Sequence, residues 1–135
     1  MKQSKKIVIK LGSSLLTNKK GGVNKAVLKN VVKDIVWLLN SKKEVVVVSS
    51  GAISLGRGKL NLKHDLTLNE SQAVAARGQI ELMTAWKNEF KKYKKQVAQI
   101  LLSPSDIKNK KSSKNAMATL ENLLNFNCVP IINEN

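Results

Sequence analysis

The chain has one cysteine, one histidine and two arginines in 135 residues. The lone Cys128 excludes an intramolecular disulfide framework, and no Cys/His spacing resembles a zinc site. His64 stands alone, so a Ser-His-Asp or Cys-His site would have to be built around it, and nothing else in the sequence supports one. No apolar run approaches the roughly 18 residues of a membrane span. The longest runs, such as the four valines at 45–48, are strand-sized. The N-terminal Met-Lys-Gln-Ser-Lys-Lys is followed by three apolar residues and another lysine, which is no secretory h-region. A reducing, cytoplasmic setting without membrane insertion is the expectation.

What the chain does have is lysine. There are 22 of them beside Arg57 and Arg77, against 9 acids, for a net charge of +15. So basic a balance fits nucleic acid or another polyanion. Arginine, however, supplies the bidentate forks of base and phosphate readout, and the chain holds only two. With 14 asparagines alongside the lysines, a compositional drift that yields a solvated lysine surface is the favoured reading. A basic α/β module that binds nucleic acid remains the alternative. The 42% hydrophobic content excludes a disordered tail and fits one domain, or part of a larger one.

Four apolar runs rich in Val and Ile predict strands at residues 6–11, 44–48, 96–102 and 128–132. The second is apolar on both faces, as in a central parallel strand covered by helices on each side. Between the runs, helical periodicity places Leu28, Val32, Ile35 and Val36 on one face of a first helix, with Val27, Val31 and Leu39. A long helix from about 69 to 93 presents Ala73, Ala76, Ile80, Met83, Trp86, Phe90 and Tyr93. Gly78 inside it reads as close packing against a neighbour, with a ligand approaching the backbone as the less favoured alternative. A last helix from about 112 to 126 carries Ala116, Met117, Leu120, Leu123 and Leu124 inward. Residues 56–68 read as a loop-rich insertion and the lysine-rich residues 108–114 as a solvated loop. The β-α-β-α-β-α-β order predicts an α/β fold with an open, mostly parallel sheet sandwiched by helices. It lacks a helix after the fourth strand and looks cut off within a domain.

Ligands of such sheets bind beyond the carboxyl ends of the strands. At that rim the sequence places Lys10, Gly12, Ser13 and Ser14 after the first strand, and Ser49, Ser50, Gly51, Ala52 and Ile53 after the second. Ser103-Pro104-Ser105-Asp106 and Asn133-Glu134-Asn135 follow the third and fourth. Small-residue loops beside helix starts suit an anion, phosphate or carboxylate. Lys10 either neutralises a transferring phosphoryl group or merely ends a strand in solvent, and Ser50 could equally be a helix cap or turn residue. Neither glycine loop fits GxxxxGK[ST] or GxGxxG.

Taken in order, the segments resemble the glutamate 5-kinase branch of the amino acid kinase family. The resemblance rests on Lys-Leu-Gly-Ser-Ser-Leu-Leu-Thr at 10–17, Val-Val-Ser-Ser-Gly-Ala-Ile at 47–53 and Gln-Ala through Gly-Gln at 72–79. Leu101-Leu102 with Asp106, Asn115-Ala116 and Val-Pro-Ile-Ile-Asn-Glu-Asn at 129–135 continue it. The Ser-Ser-Gly-Ala loop stands where kinases of acetylglutamate, uridylate or isopentenyl phosphate typically have a Gly-Gly-rich one. The resemblance implies ATP-dependent phosphorylation of the γ-carboxylate of L-glutamate, with Mg²⁺ accompanying ATP. Lys10 would be catalytic and, with Gly12, Ser13 and Ser14, would bind the ATP phosphates. Ser50, Gly51, Ala52 and Asn133 would hold glutamate. No acid pair suggests a metal site; Glu134 is the nearest candidate, and a structural role fits it as well.

Three departures from the family pattern are visible. The Asp that follows Asn-Glu-Asn in the family lies beyond the last residue, Arg77 replaces a small apolar residue, and Ser41-Lys42-Lys43 replaces a Gly-containing turn. Residues 1–135 therefore read as the N-terminal, substrate-side half of a kinase domain, inactive alone, without the ATP-base-binding half. A homo-oligomer is the expectation for the full-length protein. A relative acting on another small carboxylate or phosphate is the third reading.

Overall fold

A run of β-branched residues that is apolar on both faces can be satisfied only between helices, and the valines at 45–48 are so placed. In the computed structural model, which describes residues 5–102 and 104–133, Val45 and Val47 are fully buried and Val46 nearly so. They belong to β2 (Glu44–Ser49), an inner strand of a four-stranded sheet with β1 (Lys6–Leu11), β3 (Gln96–Leu101) and β4 (Cys128–Asn133). The order is β1-β2-β4-β3, and every neighbouring pair is parallel. All four expected strands are present.

The helices are α1 (Ser13–Leu16), α2 (Lys25–Asn40), α3 (Ala52–Leu60), α4 (Leu68–Lys91), α5 (Pro104–Lys108) and α6 (Lys110–Asn125). Handedness distributes them between the two faces. The steps from β1 to β2 and from β2 to β3 run in one direction across the sheet, whereas β3 to β4 runs back. Right-handed crossovers therefore put α2, α3 and α4 on one face and α6 on the other. The first face holds the core. Leu28, Val32 and Ile35 of α2 and Leu82, Trp86 and Phe90 of α4 cluster with Leu11, Val45, Val47, Val129 and Ile131 of the sheet.

Local chemistry fixes the helix starts. Asn24 accepts a hydrogen bond from the Val27 N–H at 3.3 Å, opening α2. Thr67 and Glu70 form a capping box at α4, with each side chain accepting from the other's backbone N–H. The Thr67 N–H, helped by His64, holds the Glu70 carboxyl below its ordinary value.

Several expectations are corrected. Residues 56–68 are not a loop-rich insertion, because α3 continues to Leu60 and only seven residues join it to α4. Gly56 and Gly58 suggest a break in the sequence but serve close packing. A Cβ at Gly56 would collide with the Val74 carbonyl, and one at Gly78 with the Ala52 carbonyl, so α3 and α4 cross nearly backbone to backbone. That crossing selects the buried stripe Val74, Gly78, Leu82, Trp86 and Phe90. Ala73, Ala76 and Ile80, expected inward, face out instead, and Ile80 is 64% exposed.

The basic segment at 108–114 is mostly helical, since Asn109 caps α6 by accepting from the Lys111 and Ser112 N–H groups. None of the α6 side chains is fully buried, and Met117, expected inward, is 51% exposed. One helix packed on β4 covers only part of its face, which leaves Val8 of β1 also 67% exposed. Lys42, in the turn after α2, adopts a left-handed φ of 62°.

Candidate active site

Parallel pairing in register brings the strand ends to one rim. Leu11 pairs with Ser49, Ser49 with Asn133, and Asn133 with Leu101, so a single row across the sheet marks where all four strands stop. Residues 12–14 and 50–52 therefore emerge side by side. The Ser50 N–H extends the ladder to the Leu11 carbonyl at 3.1 Å.

Gly51 follows with φ of 118°, a left-handed conformation that favours glycine, and starts α3. A side chain there would contact Thr17 and Ser13 of the first loop. Thr17 ties the two loops together: its hydroxyl donates to the Ser13 carbonyl at 2.7 Å and accepts from Ser54 at 3.4 Å. Gly12, by contrast, faces open space where a Cβ would stand.

Between these loops lies a cavity of about 720 Å³ lined by Lys10, Gly12, Ser13, Ser50, Gly51, Ile53, Ser54 and Arg57. It is well suited to anions. Lys10 is the penultimate residue of β1, and Arg57 lies in the last turn of α3. The Arg57 guanidinium is braced by one hydrogen bond, Nη1 to the His64 carbonyl at 3.0 Å, and its remaining donors retain the planar fork that matches an oxyanion. The N–H groups in the opening turn of α3 lack intrahelical partners and carry the positive end of its dipole.

A second cavity, about 690 Å³, adjoins the first at Ile53 and lies between the N-terminal half of α4 and the ends of β3 and β4. Asn133 lines this one, beside Gln72, Gln79 and Gln99. The candidate residues thus divide: Lys10, Gly12, Ser13, Ser50 and Gly51 share the first cavity and Asn133 belongs to the second. Ser14 lines neither. Ala52 is fully buried under Gly78, so only its backbone could meet a ligand.

Ser49, which the sequence suggested as a rim residue, is instead core. It is 0% exposed, and its hydroxyl accepts from Trp86 Nε1 at 3.0 Å. His64 lines neither cavity; its ring lies 3.5 Å from the Glu70 carboxylate. Glu134, Asn135 and Ser103 lie outside the described residues, as do the side chains of Pro104 and Ser105. Among the described residues no cluster of three acids, histidines or cysteines could hold a metal ion, and no helix is long and apolar enough to cross a membrane.

Sequence reasoning placed Ile53 at the rim but missed Ser54, Arg57 and Gln79. Ile53, Ser54 and Arg57 recur at one helical face, i, i+1 and i+4, a signal available only once 52–60 is read as a helix. Arg77, the other arginine, forms an i,i+4 ion pair with Glu81 at 3.1 Å.

The model of the amino acid kinase family matches residues 5–135. The chain belongs to that family. Among curated relatives of this amino acid kinase chain, glutamate 5-kinase of Pelagibacter ubique is 46% identical over 136 residues, covering all of this chain and 37% of the relative. Glutamate 5-kinase of Enterococcus faecalis is 43% identical, again over the whole chain and 50% of the relative. The chain thus spans between about a third and a half of the length of these relatives. The crystal structure of T. acidophilum isopentenyl phosphate kinase in a product complex superposes with a TM-score of 0.61 at 12% identity, covering 93% of this chain and 53% of that one. It shares the fold.

Proposed function

We propose that this amino acid kinase chain forms the substrate-side half of a domain that phosphorylates the γ-carboxylate of L-glutamate, giving γ-glutamyl phosphate, the first step of proline biosynthesis in the cytoplasm. The observation that carries the reading is the convergence of Lys10, Gly12, Ser13, Ser50, Gly51 and Arg57 on one cavity. The names of the relatives, all glutamate 5-kinases, support the choice of acceptor.

The residues present fit a polyphosphate: two cations, an open glycine and a left-handed glycine at a helix start surround the space. ATP supplies the transferable phosphoryl group, and Mg²⁺ enters with its phosphates. Lys10 and Arg57 offset negative charge where it accumulates, and the backbone N–H groups of residues 12–14 and 51–52 orient the oxygens. A glutamate γ-carboxylate is ionised at pH 7 and attacks without losing a proton, so the cavity needs no general base. Its task is alignment and charge neutralisation.

The ATP-base-binding part is proposed to lie outside residues 1–135, so this chain alone is expected to be inactive. The test is hydroxylamine trapping of γ-glutamyl phosphate in glutamate, ATP and Mg²⁺. The 135-residue chain should give none. A chimera that joins it to the C-terminal remainder of the Pelagibacter relative should turn over and lose activity at least a hundredfold on Lys10→Ala. Turnover by the isolated chain would refute the proposed division, and a Lys10→Ala chimera with full activity would refute the site.

A further inference from the structure

The second cavity has an unusual wall for a chain of net charge +15: among the described residues no charged side chain lines it. Four carboxamides do, those of Gln72, Gln79, Gln99 and Asn133, among apolar residues such as Leu68 and Ile80. Two of the four are unsatisfied. Both polar atoms of the Gln79 amide and the Asn133 side-chain oxygen are sealed from solvent with no hydrogen-bond partner among the described residues. Buried polar groups are nearly always paired, and leaving one unpaired is costly. Gln79 offers a donor and Asn133 an acceptor, yet they do not bond each other. Two unpaired groups on one cavity wall call for a third participant that both gives and takes hydrogen bonds.

Resting on the functional reading above, we infer that Gln79 is a specificity-determining residue that recognises the α-ammonium and α-carboxylate of the acceptor amino acid. A side-chain rotation carries its amide into the cavity that the residue already lines. Gln79 Oε1 and Asn133 Oδ1 then accept from the ammonium, and Gln79 Nε2 donates to the carboxylate. Uncharged carboxamides suit a head group whose two charges cancel, whereas a second bare carboxylate would call for a cation and finds none among the described residues of this wall. The remaining, γ-carboxylate end passes Ile53, which both cavities share, toward Lys10 and Arg57. Both ends of the orphaned amide gain partners only when a zwitterion arrives, since a diacid satisfies the Nε2 donor and leaves Oε1 unpaired, which favours an α-amino acid over an otherwise identical diacid.

The test compares L-glutamate with glutarate, which lacks only the α-amino group, by NMR titration of the ¹⁵N-labelled 135-residue chain. Wild type should bind glutamate at least tenfold more tightly than glutarate, with the Gln79 side-chain N–H signals shifting. Gln79→Leu replaces an unsatisfied amide by an apolar group of similar size, so the fold should persist. It should weaken glutamate tenfold or more and glutarate by clearly less, so that the preference for glutamate collapses, while Mg²⁺-ATP binding stays within twofold, and Gln79→Asn should restore part of the preference. If glutamate shifts the Gly51 and Ser50 amides but Gln79→Leu keeps the full preference, this inference is overturned and the functional reading survives. If neither glutamate nor Mg²⁺-ATP perturbs the rim of the wild-type chain, the functional reading falls and the role of Gln79 with it.

Discussion

Replacing Gly78 by Ala should destabilise the protein although it improves the intrinsic helicity of α4. In an exposed helix interior the change would gain about 1 kcal/mol. Here the new methyl would meet the Ala52 carbonyl oxygen and carbon and the Gly56 nitrogen, all of them α3 backbone atoms. No side chain can swing aside, so the helices must separate. Overpacking of this kind costs about 1–3 kcal/mol, and the withdrawal of buried Leu55 from the core adds to it. A net loss of about 2 kcal/mol is expected, opposite in sign to the propensity effect. Urea unfolding reads it directly: at a slope of about 2 kcal/mol per molar the midpoint falls by about 1 M. Because α3 carries Gly51, ATP binding should weaken in the same variant. Gly56→Ala should act alike, and the double variant should lose less than the sum, since one displacement relieves both clashes. A midpoint that rises, as for a surface helix glycine, would refute the close crossing.

Trp86→Phe removes the donor to the fully buried Ser49 hydroxyl and should cost about 2 kcal/mol. Adding Ser49→Ala should recover part of that loss; strictly additive effects would contradict the bond. The Glu70 carboxyl is held below its ordinary value of 4.5, so its contribution to the α4 cap is complete above that value and is lost as pH falls through the lower folded one. Hydrogen exchange at the start of α4 should accelerate in that acid range for wild type and show no such step for Glu70→Gln. Arg57→Ala should weaken Mg²⁺-ATP binding at least tenfold without lowering the urea midpoint by more than about 0.5 kcal/mol equivalent, and Arg57→Lys should rescue it only partly, because a point charge lacks the fork. Unchanged binding in Arg57→Ala would remove this residue from the site.

Strand positions were legible because β-branched runs between Gly, Ser and Asn have few other solutions, and a parallel sheet then forces residues 12–14 and 50–52 onto one rim. α3 was not legible. Gly56 and Gly58 read as breakers until their partners, Val74 and Gly21, are known, and with α3 went Arg57. The inward face of α4 was misassigned over its first half because Ala73, Ala76 and Ile80 continue the stripe that is correct for Trp86 and Phe90. Only the glycine crossing moves it by one residue. Ser49 looked like its neighbour Ser50, yet strand alternation sends its side chain into the core toward Trp86. Gln79 carried no sequence signal of its own, since an unpaired buried amide is a property of the packed molecule.

The most direct test of the phosphate-binding mouth is the binding of a non-hydrolysable Mg²⁺-ATP analogue to the ¹⁵N-labelled chain. The largest amide shifts should fall on Gly12, Ser13, Gly51 and Ala52, and Lys10→Ala should abolish them. Saturable binding that perturbs other residues and leaves these four amides unmoved would contradict the account.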